Sequence, residues 1–335
     1  MSTTMRALVY SAHGAAADAL SIKSVPRPAP AANQVLVKVA AAAVNKGDHV
    51  VLGGAVFLVR LAAGRVKPDT KIGSDFAGTV EAVGSNVTAF RVGDAVFGQT
   101  NVMAGQGSFA EFICMGESDA IALKPSTLSF EEAACMPVAA QTALQALRDD
   151  GLLQPGQSVL INGASGGVGS FAIQIAKALG ASHVTAVCSA ANADAARALG
   201  ADAVVDYAKE DFTANPLAKF DLLLDLVGNR SLRDSRRVLA PHGTYVTAGG
   251  PPETFMSRLM SLLALKPFVG QRLVVCMLAP SQALLKAVKT MTDVGQMKPV
   301  ISARFDFVES VKAFELFEQG HLKGKIVVAL PGATS

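Results

Sequence analysis

The sequence predicts an α/β protein in which a doubly wound parallel sheet is joined to a second, β-rich domain. Three observations carry that expectation. From Ser158 onward, short apolar strands alternate with helices in a regular order. The first of these strands runs directly into a glycine loop that opens a helix. The first 125 residues instead show short alternating strands separated by glycine turns. At 335 residues the chain exceeds the roughly 250–300 that one core usually supports, so two domains are expected. The parallel sheet is assigned to residues 127–279, and the β-rich domain to residues 1–126 together with 280–335.

Alternation places strands at residues 6–10 and 34–39, the latter with Val35, Val37 and Val39 on one face. Shorter strands follow at 79–83 and 95–97, punctuated by Gly73, Gly78, Gly84 and Gly93. Pro26, Pro28 and Pro30 mark a turn-rich connection. Near Pro125 the texture changes. Ser129 with Glu132 three residues on is a capping-box pattern that opens a helix, and 141–148 continues helical. Then come strand 159–162, helix 168–179, strand 183–188, helix 192–199 and strand 203–206. Strand 222–226, a helix ending by Leu239 and strand 244–248 complete the series. Strands linked by helices of this length form a parallel sheet covered on both faces, which suits a chain with 50% hydrophobic and only 17% charged residues. The apolar stretch 259–279 is interrupted by Lys266, Pro267, Gly270 and Arg272. Charge at mid-bilayer is costly, so it reads as a helix end, a loop and a buried strand, not a membrane span. Beyond Pro280, one more helix and two short strands, 304–307 and 325–330, return to complete the first domain.

A net charge of +3 gives no reason to expect a nucleic-acid or membrane-surface partner. Cys114, Cys135, Cys188 and Cys276 lie far apart, with neither the spacing of a disulfide framework nor that of a cysteine-rich zinc site. They read as small buried hydrophobes in a reducing environment. With no signal-peptide pattern at the N-terminus, a cytoplasmic protein is expected.

The chemistry starts at Asn162-Gly163-Ala164-Ser165-Gly166-Gly167-Val168-Gly169. Glycine lets the backbone turn tightly and approach a pyrophosphate, while a helix N-terminus offers free N–H groups and the positive end of its dipole. A glycine triplet alone is weak, but strand, loop, helix and second strand in register describe a Rossmann dinucleotide site. Ala164, Ser165, Gly166, Gly167, Val168 and Gly169 are its expected contacts. At the end of the second strand an acid would bind the ribose hydroxyls of NAD and repel a 2′-phosphate. Here Ser189 and Asn192 stand instead, with no acid before Asp194 and with Tyr207 as a further donor. This favours NADPH, with NADH as the alternative because no Lys or Arg adjoins the site.

These residues bring a family into view. The chain resembles the zinc-free branch of the medium-chain dehydrogenase/reductase superfamily, the quinone oxidoreductase-like proteins, over nearly its whole length. The matching segments include Ala43-Val-Asn45-Lys-Gly-Asp48, Gly73-Ser-Asp75-Phe-Ala-Gly78, Gly93-Asp94-Ala-Val96-Phe97-Gly98 and the glycine loop. Later come 199–207, Asp225-Leu-Val-Gly228 and Gly320-His-Leu-Lys-Gly324-Lys325. The resemblance implies a split GroES-like catalytic domain around an inserted Rossmann domain, with the active site in the cleft. It also implies a homodimer joined through the edge strand of the Rossmann sheet, residues 271–278 here. Zinc-dependent relatives carry Cys at the place of Asn45 and Gly-His-Glu at Gly73-Ser74-Asp75; amide and hydroxyl do not replace thiolate and imidazole. No cysteine lobe occurs at 101–109, and His49 is one position from a relay histidine, so it reads as a surface or packing residue.

Without a metal, hydride transfer is easiest to a conjugated acceptor that spreads charge onto oxygen, needing positioning and one or two donors. Asn45 is the candidate donor with Asp48 holding its loop; the alternative is that Asn45 only shapes the turn. By resemblance, Thr142 packs beside the nicotinamide, Ala248-Gly249-Gly250 and Phe268-Val269-Gly270 frame its ring, and Lys325 reaches the cofactor cleft. Asp75 reads as a structural carboxylate. The apolar insert 56–64 is assigned to the substrate mouth, which predicts a small hydrophobic substrate. The chain's three tyrosines, Tyr10, Tyr207 and Tyr245, include none shortly after Asp48, unlike some fatty-acid enoyl reductases. The expectation is a zinc-independent, NADPH-dependent reductase of a quinone or other conjugated carbonyl. Enoyl-thioester or alkenal reduction is the alternative, or a low-activity NADPH-binding regulatory or RNA-binding protein, for which no basic, aromatic stripe is present.

Overall fold

The N-terminal alternation forms β1 (Thr4–Tyr10), which after the short α1 (Ala16–Ala19) pairs antiparallel with β2 (Leu20–Pro26). β3 (Gln34–Ala43) leads into α2 (Lys46–Gly53), and β4 (Thr70–Lys71) joins the other edge of β1. β5 (Asp75–Val83), β6 (Ala95–Gln99), β7 (Phe112–Gly116) and β8 (Ile121–Leu123) follow. The computed structural model describes all residues except 1, 54–69, 102–104, 216, 218, 321 and 332–335. The insert 56–64 assigned to the substrate mouth lies outside the described residues.

Ser129 caps α3 (Phe130–Ala134): its hydroxyl accepts from Glu132 N, and the Glu132 carboxylate accepts from Ser129 N. Proline opens α4 (Pro137–Leu144), after which 145–150 loosens into a π-turn, so only the first half of the segment 141–148 has α geometry. Then β9 (Ser158–Asn162), α5 (Gly167–Ala178), β10 (His183–Cys188), α6 (Ala193–Ala198) and β11 (Ala203–Asp206) appear in the expected order. β12 (Phe220–Asp225), α7 (Leu232–Arg237), β13 (Leu239–Thr247), α8 (Pro252–Leu265) and β14 (Arg272–Val275) continue it. β9 to β14 form one sheet, ordered β11-β10-β9-β12-β13-β14, with every pair parallel. All six strands therefore end on the same side, and the order reverses at β9, where such sheets open a crevice for ligands.

Two corrections concern the C-terminal third. β14 is half-buried at the sheet edge, with only Leu273 fully inside, and is not the buried strand expected. Past α9 (Gln282–Asp293) and β15 (Ile301–Asp306) the chain forms a second helix, α10 (Ser310–Gln319), before β16 (Lys325–Ala329). The signal was legible: Val311, Phe314 and Phe317 recur at helical spacing, and Phe314 is fully buried against Phe109. β3 also runs past Val39 to Ala43. Alanine has little strand preference of its own, and pairing with β5 and β16 supplies the ladder.

The seven-stranded sheet combines β15 and β16 with β3, β5, β6 and β8, with β7 pairing to β3, so both ends of the chain build one unit. Its core holds Leu8, Val37, Phe76, Phe109, Phe314 and Val328. Beside it, Ala139, Ala140 and Ala143 of α4 let that helix approach α5 closely, where Phe171 and Ile175 fill the core.

Just before β16, Gly324 has φ +91°, and a side-chain carbon there would lie 2.1 Å from the Val300 carbonyl oxygen. Gly324→Ala is expected to lower stability by more than about 1 kcal/mol, read as the midpoint of chemical denaturation. An unchanged midpoint would mean that this turn does not constrain the final strand.

Candidate active site

The glycine loop joins β9 to α5 where the parallel strands end. Gly163 N and Ala164 N both donate to the Val187 carbonyl, at 3.2 and 3.1 Å, which ties the loop to β10. Gly163 has φ +88°, a conformation that favours glycine. A side-chain carbon on Gly169 would lie 2.2 Å from the Gly163 oxygen, so that glycine allows the helix to close on the loop. Gly166, the residue before α5, has nothing nearer than 3.6 Å and leaves room for a ligand at the helix end. Gly167 serves another neighbour: a side chain there would strike the Lys325 stem at 2.8 Å. Ala164 is fully buried beneath the loop and acts in packing. The helix's first-turn N–H groups have no carbonyl one turn back, so the loop fits an anionic diphosphate.

The final strand locks onto this loop. Gly324 N donates to Ser165 O at 2.9 Å, and Gly166 bridges Gly324. Lys325 then runs under the loop, 4% exposed, and its ammonium donates to Val44 O at 3.1 Å, to Asn45 Oδ1, and to Asp75 Oδ2 at 3.0 Å. Asp75 in turn accepts Val138 N–H at 2.8 Å, placing its carboxylate at the first turn of α4. Asp48 accepts Asn45 N–H at 2.9 Å and the Ser74 hydroxyl at 2.6 Å. Asn45, Asp48, Ser74, Asp75 and Lys325 therefore form one buried polar cluster against the glycine loop.

Burial pushes the Asp48 carboxyl up to about 7, and the neighbouring Asp75 adds to this against the pull of the Ser74 hydroxyl, Lys325 and Asn45 N–H. Burial also raises Asp75, although Lys325, the Asn45 side chain and Val138 N–H draw it down. Cys135 nearby is pushed up to about 12 by burial and stays a thiol.

At the nucleotide end, Ser189 and Asn192 follow β10, with Asn192 Nδ2 donating to Ser189 Oγ at 3.2 Å. Tyr207 follows β11 and is 45% exposed, its N–H on the Cys188 carbonyl. Arg197, which sequence reading passed over, lies one turn further along α6, paired with Asp194 at 3.2 Å, and its charge reaches Cys188. A second buried network was also missed. Asp225 accepts from Asn162 Nδ2 and Arg258 Nη2, each at 2.9 Å, from Tyr245 Oη at 2.7 Å and from Gly228 N at 2.8 Å. It fixes the ends of β9, β12 and β13 together. Asp225 lay in the family motif, but nothing in the sequence links it to Arg258.

Thr142 lies on α4, 8% exposed, its hydroxyl donating to Val138 O. Gly249 packs on the Leu226 backbone, and Lys46 Nζ reaches Gly250 O at 2.9 Å, joining the turn after Asn45 to the end of β13. Three expectations change. Phe268 and Val269 precede β14, which runs parallel to β13, so they sit at the opposite end of the sheet from the glycine loop. The residues after β14, beginning with Cys276, whose N–H donates to Thr247 O at 2.8 Å, lie at the glycine-loop end instead. Lys325 holds the loop from beneath, its ammonium engaged by protein oxygens. The Asn45 amide is held inside the cluster: its oxygen accepts from Lys325, and its nitrogen donates to Ala43 O at 3.2 Å. The Ser74 hydroxyl is engaged as well, donating to Asp48 Oδ1 at 2.6 Å. His49 reaches Glu318 at 3.6 Å and lies against the Phe317 ring. A groove of about 730 Å³ near Lys177, Gln296 and Lys298 lies at the far end of α5 from the glycine loop.

Among the described residues, no group of three or more His, Cys, Asp and Glu gathers where it could hold a metal. The donors around Lys325 are an amide, a hydroxyl and two carboxyl groups already engaged, and a cation stands among them. That set does not fit zinc.

Residues 31–125 match the family described as the alcohol dehydrogenase GroES-like domain, and residues 199–328 the one described as zinc-binding dehydrogenase. The chain is 35% identical over 339 residues to a 2-methylene-furan-3-one reductase of Solanum lycopersicum, covering 97% of this chain and 79% of that protein. It is 33% identical over 342 residues to the chloroplastic NADPH-dependent alkenal/one oxidoreductase of Arabidopsis thaliana, with 97% and 79% covered. Among solved structures, the quinone oxidoreductase from Coxiella burnetii aligns with a TM-score of 0.87 at 31% identity, covering 97% of this chain and 99% of that one.

Two outcomes test the cluster. Lys325→Met leaves the Asp75 carboxylate buried and unpaired, and is expected to cost about 3–5 kcal/mol of stability in denaturant titrations. The raised Asp48 carboxyl makes folding take up a proton. Its stabilising contribution is complete below the ordinary carboxylate value and is lost as pH rises through about 7. The denaturation midpoint should therefore fall between acidic and mildly alkaline pH, and Asp48→Asn should flatten that fall; an equal slope in the variant rejects the assignment.

Proposed function

The chain belongs to the medium-chain dehydrogenase/reductase superfamily, in its quinone oxidoreductase-like group, and is a nicotinamide-dependent oxidoreductase; from that premise we propose that it is a zinc-independent, NADPH-dependent reductase of conjugated carbonyls and quinones. The observation that carries this reading is the closed cluster of Asn45, Asp48, Ser74, Asp75 and Lys325. It sets a buried ammonium and hydrogen-bonding groups where zinc-dependent relatives place metal ligands.

Bound NADPH supplies the hydride. The N–H groups opening α5 hold its diphosphate at Gly166, where the backbone leaves room. Ser189, Asn192 and Tyr207 receive the ribose phosphate, with no acid among them to repel it and Arg197 close by. Thr142, Gly249 and the residues after β14 border the nicotinamide. With no Lewis acid to activate a simple ketone, the acceptor must stabilise charge by itself. A methylene-furanone, an alkenal and a quinone, the substrates after which relatives are named, all carry a carbonyl conjugated to a double bond. The substrate class follows from that shared chemistry.

The open edge of β14 and the exposed Met256, Met260 and Leu263 on one face of α8, with Phe268 beside them, support a homodimer formed along this edge.

Purified protein is expected to oxidise NADPH with quinones and with α,β-unsaturated aldehydes, without bound zinc. Silence across such a panel, or one equivalent of tightly held zinc, rejects the proposal. Ser189→Asp should raise KM for NADPH at least about tenfold, roughly 1.4 kcal/mol, while sparing NADH; equal changes for both cofactors would remove Ser189 from the phosphate site. Light scattering should give twice the chain mass, and Met260→Asp combined with Phe268→Asp should halve it. A wild-type monomer rejects the dimer.

A further inference from the structure

The cluster beneath the glycine loop holds two carboxyl groups and one ammonium. Asp75 has the ammonium, with Lys325 Nζ at 3.0 Å, and also a helix N–H from Val138 at 2.8 Å. Asp48 is fully buried; among the described residues it bonds only to Ser74 Oγ and Asn45 N, and no cation bonds to it. A second buried carboxylate without a paired cation is costly, so Asp48 is the one that keeps a proton. The charged groups that act on it agree: Asp75 favours the protonated form, and Lys325 acts against it without a bond. The histidines on and beside α2 face elsewhere, His49 toward Glu318 and His13 onto the carbonyls of Val51 and Leu52.

A protonated Asp48 must donate its hydrogen. On one side stands Asn45 N–H, which can only donate. On the other is Ser74 Oγ at 2.6 Å, which can accept. Accepting from Asp48 releases the serine's own hydrogen for another partner. Ser74 immediately precedes β5, at the end where β5 adjoins β3 and, through Lys325, the glycine loop. Its carbonyl is fixed by Thr100 N–H at 2.8 Å. It also keeps the most surface of the five residues, 8% against none for Asp48 and Asp75.

We propose that Ser74 is the catalytic proton donor of the reduction and that Asp48 behind it restores its proton. The inference rests on the reductase reading. When the acceptor takes hydride at carbon, the displaced electron pair builds on its oxygen. The Ser74 O–H bond then breaks, its proton goes to that oxygen, and the Asp48 proton moves to Ser74 Oγ. After product leaves, a solvent proton returns to the Asp48 carboxylate by way of the Ser74 hydroxyl, so each turnover consumes one hydride and one solvent proton.

The test uses wild type, Ser74→Ala, Ser74→Thr and Asp48→Asn with NADPH and either 1,4-benzoquinone or trans-2-hexenal. Ser74→Ala should lower kcat about 100-fold, with NADPH affinity from fluorescence titration nearly unchanged, and Ser74→Thr should recover most of the rate. Wild-type kcat should fall as pH rises through about 7, a limb that Asp48→Asn removes. In cofactor-free protein near pH 6, infrared difference spectra should show a protonated-carboxyl band in wild type that is missing from Asp48→Asn. A wild type inactive with every acceptor overturns the reductase reading itself. An active wild type with full turnover in Ser74→Ala, or with no carboxyl band assignable to Asp48, overturns the relay alone.

Discussion

A buried ammonium has to be surrounded by oxygen atoms, and much of this molecule follows from how Lys325 meets that requirement. Its three partners come from Val44, Asn45 and Asp75, at the end of β3 and the start of β5, while its stem lies under Gly167 of the dinucleotide loop. One side chain thus holds the last strand, two strands of the β-rich sheet and the cofactor loop in a single arrangement. Asp75 extends the constraint to α4 through Val138 N–H, and α4 carries Thr142. Removing the cation would strand a carboxylate in a low-dielectric interior, which is why the arrangement tolerates few alternatives.

The same logic appears once more at the C-terminal edge of the parallel sheet. Asp225 gathers Asn162, Tyr245, Gly228 and Arg258 around one buried carboxylate. Burial and the adjoining carboxylate keep the Tyr245 phenol protonated far into alkaline pH, so it remains a donor. The two networks lie on either side of the glycine loop. One fixes it to the β-rich domain, and the other fixes its strand to the neighbours that complete the crevice.

The residues also show how a family scaffold changes its chemistry. Where relatives with zinc offer thiolate and imidazole, this chain offers an amide and a hydroxyl, with a lysine cation among them. Charge of the same sign remains at that place, but it is covalently tethered and saturated with hydrogen bonds. It orders its neighbours without presenting an open coordination position.

Periodicity and turn chemistry in the sequence by themselves determined the parallel sheet, the Ser129 cap, the glycine loop and the lack of a thiolate–imidazole set. Each depends on residues close together in the chain. Segments whose order is set by partners were less legible. The Ala40–Ala43 extension of β3 has no strand preference of its own, and α10 went unread although its apolar spacing was present. The place of Phe268 and Val269 depended on the direction in which β14 runs, which only pairing with β13 decides. The cluster at the centre was the least accessible, because Lys325 lies 280 positions from Asn45 and 250 from Asp75. Sequence could name those residues one at a time. Only the tertiary structure decided that a lone lysine near the C-terminus is a buried cation, that Asn45 is held within the cluster, and that Ser74 lies against Asp48.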